Sequence, residues 1–114
     1  MTTGTNLTEQ AYAKRAYILL REVEELQNVR GGVNTSYGVE QCNQVLDAAK
    51  QLAADDPDIV SSLEALPPLS SELLPYAAGR IAAEANVFLA KLSGILRAVI
   101  ALYMDPAKRQ QLGV

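Results

Sequence analysis

An all-α fold is predicted by three features of the sequence. Apolar residues recur at alternating spacings of three and four, helix start and stop residues bound four segments, and a composition of 49% hydrophobic against 20% charged residues is enough to build a core. The expected architecture is an antiparallel, up-and-down four-helix bundle with three long helices and one short. A chain of 114 residues suits one domain. It divides into a flexible N-terminal segment (1–6), the helical bundle (7–104) and a C-terminal turn or tail (105–114).

The first helix is expected from Leu7 to Arg30. Asn6 is placed to cap it, Glu9 follows three residues later as in a capping box, and Gly31-Gly32 supplies a left-handed stop. Tyr12, Ala16, Leu19, Val23 and Leu26 form one apolar stripe, with Lys14, Arg21, Glu22 and Glu25 opposite. The second helix, Ser36 to Ala54, has Val39, Cys42, Val45 or Leu46, Ala49, Leu52 and Ala53 along its inner face. Asp56-Pro57 reads as an N-cap followed by a proline at the first helical position, opening a short third helix with Ile59, Val60, Leu63 and Leu66 inward. Pro67-Pro68 ends it.

From Tyr76 no proline interrupts the chain until Asp105-Pro106, so the fourth helix is the longest. At the standard rise the four span roughly 36, 28, 15 and 43 Å, and the last outreaches the second and third. It is also the most apolar. Ile81, Phe88, Ile95 and Leu102 form one column, Ala82, Leu89, Leu96 and Tyr103 a second, and Ala85, Leu92 and Val99 a third. Ala78, Gly79, Ala82, Ala83, Ala90, Gly94 and Ala98 add small residues at spacings of four, expected to tighten a core.

Composition excludes several classes of function. There are no histidines, which removes imidazole bases, His metal ligands and the Glu-x-x-His pairs of carboxylate-bridged metal bundles. With 10 Lys plus Arg against 13 Asp plus Glu, the chain lacks the basic footprint of nucleic-acid binding. The single Cys42 excludes an internal disulfide; together with an N-terminus that has neither a basic start nor an apolar run, it points to a reducing cytoplasm. Lys91 and Arg97 argue against the fourth helix as a membrane span. Acids and bases are unevenly shared. Asp55, Asp56, Asp58, Glu64 and Glu72 stand without a base in 51–79, while Arg80, Lys91, Arg97, Lys108 and Arg109 outnumber Glu84 and Asp105 in 80–114. An antiparallel fourth helix is expected to set Arg80, Lys91 and Arg97 near acidic neighbours.

No catalytic residue and no cofactor is expected, and the predicted function is a non-enzymatic, self-associating interaction module. Its partner is a second copy, a homodimer through the fourth helix, or another helical protein. Once the first helix covers one column and the shorter helices another, Leu89, Leu96 and Tyr103 are left as the interface. The intrachain alternative is cover by the connection, with Leu69, Leu73 and Leu74 folded over that column. Two other functional readings remain at this level. Glu22, Glu25, Glu40 and Asp47 are the candidate metal ligands of a magnesium-dependent phosphohydrolase, and short side chains between helices two, three and four leave room for an apolar ligand.

Overall fold

In the computed structural model the described residues form five α-helices: α1 (Thr2–Gln27), α2 (Ser36–Leu52), α3 (Pro57–Glu64), α4 (Ala78–Tyr103) and α5 (Pro106–Leu112). The structure describes residues 2–72, 74 and 76–114, with side chains from Thr8 onward, and there is no strand among them. The all-α class and helix-on-helix packing match the sequence, but the number of helices does not.

The departures have local causes. Helical backbone starts at Thr2 and takes in residues 2–6, which the sequence set apart as flexible; no proline stands there to stop upstream extension. The cap expected of Asn6 concerns a side chain outside the described residues. The α1 helix ends at Gln27 rather than Arg30. Val29 N–H already bonds Leu26 O at 3.3 Å, a tightened turn that leads into Gly31 and Gly32 at φ 80° and 82°. The expected tail contains α5, because Asp105-Pro106 repeats the Asp56-Pro57 arrangement and opens a helix as well as closing one. Gly113, at φ 73°, ends α5.

The most extensive pairing is between α1 and α4, the two 26-residue helices, each about 39 Å long. They run antiparallel: Tyr12 meets Tyr103 with ring centroids 5.3 Å apart, Glu24 meets Arg97 at 3.1 Å, and Gly32 lies against Ala82. A Cβ at Gly32 would sit 3.0 Å from the Ala82 Cβ, and its φ of 82° also disfavours a side chain, so glycine lets the turn after α1 approach α4 closely.

The core sits between α1, α2, α3 and α4. Leu20, Val23, Cys42, Leu46, Leu63, Leu89, Leu92, Val99 and Ile100 are its largest fully buried side chains. In α1 the most buried line is Ala13, Ala16, Leu20 and Val23, with Tyr12, Leu19 and Leu26 half-buried beside it. Thr35 caps α2 by accepting from Gly38 N–H at 3.0 Å. Asn43 on α2 fastens the connection after α3 with two bonds: its Nδ2 donates to Leu69 O at 2.9 Å and its Oδ1 accepts from Leu69 N–H at 2.8 Å.

The molecule measures 55 × 27 × 17 Å, with a radius of gyration of 15.2 Å. A rounded chain of this length has a radius near 13 Å. Tyr12, ten residues into α1, stands level with Tyr103 at the end of α4, so the first turns of α1 run past α4 and lengthen the molecule.

Candidate interaction surface

The predicted interface of Leu89, Leu96 and Tyr103 is not exposed. Leu89 is 0% and Leu96 2% accessible, and Tyr103 is half-buried against Tyr12 and Asp56. The antiparallel α1 takes this side of α4, as the contacts of Ala82, Arg97 and Tyr103 show. Leu69 and Leu74 pack half-buried against the core as well, and Leu73 lies outside the described residues.

The exposed apolar face of α4 is rotated away from that column. Val87 is 55% and Leu102 67% accessible. Between them along the helix, Ala90, Lys91, Gly94, Ala98 and Ala101 also face solvent, so part of the small-residue set expected in the core is outside it. Of the most apolar 18 residues of α4, only 39% are buried within the monomer. By length and composition α4 meets the requirement for a membrane span, as the core helix of a soluble protein also does.

Gly94 stands out on this face. A Cβ there meets nothing within 4 Å, and no positive φ demands glycine. Mid-helix glycine is less favourable than alanine by about 1 kcal/mol. The packing of the monomer gives no compensation for it.

A groove of about 400 Å³ runs beside this face, with Ile59 and Ser62 of α3 and Ala65 just after it on one wall and Lys91, Gly94, Ile95 and Ala98 of α4 on the other. It lies between α3 and α4 and opens onto solvent, so it is a surface trough and not the internal cavity expected between helices two, three and four. Of the basic residues expected to find acids on other helices, only Arg97 does, at Glu24 of α1. Arg80 pairs locally with Glu84 at 3.0 Å, and Lys91 has no ion-pair partner among the described residues.

The four candidate metal ligands do not converge. Glu22 and Glu25 line a groove between α1 and α2 with Tyr37 and Gln41, whereas Gln44 Nε2 donates to the Glu40 carboxylate at 3.4 Å. Asp47 is exposed on α2. No group of three His, Cys, Asp or Glu side chains among the described residues is placed to hold a metal ion. The geometry follows from helical phase: all four occupy the sides of α1 and α2 turned away from the buried stripes.

The most elaborate polar arrangement was only partly visible in the sequence. Asp56 holds the N-cap position of α3 but makes no capping bond; its Oδ2 accepts from Tyr12 at 3.0 Å and from Tyr103 at 3.4 Å. One carboxylate therefore ties α1, about three turns in, and the start of α3 to the end of α4. Burial, followed by the hydrogen bond to Asp56, holds the Tyr12 phenol well above its ordinary pKa. Tyr103 moves in the same direction, through burial first and the Asp56 charge second. Both phenols stay protonated at neutral pH and donate, which makes the cluster a clasp rather than an acid–base pair. Cys42 is fully buried, and burial pushes its thiol up to about 11, which leaves it protonated and unreactive at neutral pH.

No protein-family model matches the chain, and no curated protein or solved structure gives a significant match.

Proposed function

We propose that the chain is a non-enzymatic helical module that assembles with a second copy of itself through the outer face of α4. The observation that carries this reading is the exposure of Val87 and Leu102, at 55% and 67%, on either side of a glycine whose side-chain space is empty. An apolar stripe of this kind along a long helix is removed from water by a partner surface. The shortness of α3 supports it, since eight residues cannot flank the 26-residue α4 along its length. A non-catalytic role is favoured by the same chemistry. The one thiol is buried, both phenols of the clasp are held protonated, and the candidate carboxylates are dispersed over the surface.

Light scattering on the purified protein tests the reading. A mass twice 12.3 kDa at high concentration is expected, falling toward 12.3 kDa on dilution. A mass of 12.3 kDa throughout would overturn it.

A further inference from the structure

Resting on the self-association reading, we infer that two copies pair α4 against α4 in antiparallel fashion about a two-fold axis at Gly94-Ile95, with Lys91 of each copy reaching Asp58 of the other.

Three observations set this register. The first is the empty space at Gly94. Where two helices cross, their backbones approach most closely at the crossing point, and residues with little or no side chain allow that approach. In an isologous antiparallel pair the crossing point lies on the symmetry axis, so the least bulky part of the face marks it. Gly94 is that point, with exposed Ala90 and Ala98 one turn to either side.

The second observation is the arrangement of the exposed face about this point. Val87 stands seven residues before Gly94 and Leu102 seven after Ile95, while Lys91 stands three before and Ala98 three after. An antiparallel copy therefore lays its Leu102 on Val87, its Ala98 beneath the Lys91 stem, and its Ile95 over the bare Gly94 backbone. Each exposed apolar residue at one end of the stripe finds the other at the far end, as self-complementarity requires.

Charge is the third observation. Lys91 borders the α3/α4 groove with no ion-pair partner among the described residues. Asp56, just before α3, touches Tyr103 at the end of α4, so α3 runs back along α4 with its first turn nearest the Ala98 end. In the antiparallel pair, Lys91 of one copy arrives at the level of Ala98 of the other, beside that first turn. Asp58 is exposed there, one turn before Ser62 on the groove wall; Ser62 Oγ donates to Asp58 O at 3.2 Å. The segment 51–79, with its five acids and no base, thus meets a cation from the partner, whereas no ion pair within the chain reaches it among the described residues. The hydrocarbon core of a bilayer offers no such counter-charge, and a spanning α4 would have to carry Lys91 and the Arg80–Glu84 pair into the membrane.

Sedimentation equilibrium on the full chain and four variants tests the register, with circular dichroism on each to confirm helicity. Lys91→Glu and Asp58→Lys should each raise the dimer dissociation constant about tenfold, and the double variant should recover most of that loss. Gly94→Leu should abolish the dimer while the chain stays helical, because the space it fills is open in the monomer. A wild-type chain that is monomeric throughout, whether or not it binds phosphatidylcholine–phosphatidylglycerol vesicles, would overturn this inference and the self-association reading together. A wild-type dimer that survives Gly94→Leu, or whose charge swap recovers nothing, would overturn the register alone.

Discussion

Both sides of α4 carry apolar residues, but they meet opposite fates. On the inner side Leu89, Leu92, Leu96 and Val99 are packed by the rest of the chain, while on the outer side Val87, Gly94, Ala98 and Leu102 are not. The difference teaches that apolar content marks a helix as needing cover, whereas the source of that cover depends on which neighbours reach it. The long α1 reaches the inner side along its whole length; the short α3 borders the outer side at one edge.

The largest effect that would break this contrast is a charge on either side. Leu96→Glu places a carboxylate at a 2% accessible position and should unfold the chain, a loss of more than about 4 kcal/mol read as lost helical circular dichroism. Leu102→Glu, at 67% accessibility, should leave the helical signal intact. Truncation sharpens the same contrast: Leu92→Ala should cost about 2–5 kcal/mol in urea unfolding, and Leu102→Ala less than about 0.5 kcal/mol in dilute solution.

Glycines give the next effect. Gly32→Ala combines a left-handed φ of 82° with a Cβ 3.0 Å from Ala82, so a loss of about 1–3 kcal/mol is expected. Gly94→Ala should instead stabilise the dilute monomer, by up to about 1 kcal/mol. A loss at Gly94 in thermal unfolding of the monomer would show that it packs within its own chain.

The smallest effect concerns the clasp at the end of α4. Tyr12→Phe should cost about 1 kcal/mol near neutral pH through the lost bond to Asp56. The folded chain holds the Tyr12 proton more tightly than the unfolded chain does, since the phenol lies above its ordinary value of 10.0. Its stabilisation is therefore complete below that value and is lost as pH rises beyond it. Wild-type Tm should fall more steeply than that of Tyr12→Phe in alkaline buffers, and parallel curves would contradict the clasp.

Much of the fold was legible as periodicity. Val39, Cys42, Ala49 and Ala53 on and just after α2 are buried as their spacing indicates, as are both alternatives Val45 and Leu46, and Ile59, Leu63 and Leu66, while Leu52 and Val60 are only half-buried. On α1 the inner line passes through Leu20 rather than Leu19, a shift of one position that spacing cannot resolve when both are leucine. The azimuth of α4 was not legible. Three apolar columns and a run of small residues leave its orientation open, so the uncovered strip was placed on Leu89 and Leu96 instead of Val87 and Leu102. Local signatures also hid longer-range roles. Asp56 beside Pro57 reads as a cap because capping partners lie within a turn, whereas its tyrosines are 44 and 47 positions away. Asn43 similarly gives no sign in sequence of its bonds to Leu69, 26 positions on.

The inner side of α4 is closed by its own chain, and the outer side is proposed to be closed by a second copy. Thiol labelling of Val87→Cys and Leu96→Cys, each across a wide range of protein concentration, measures both at once, with the buried Cys42 as a slow internal reference. Cys at 87 should label fast when dilute and slowly when concentrated, while Cys at 96 in a folded chain should label slowly at every concentration. Labelling at 87 that stays fast however concentrated the protein, or fast labelling of folded chain at 96, would contradict the account.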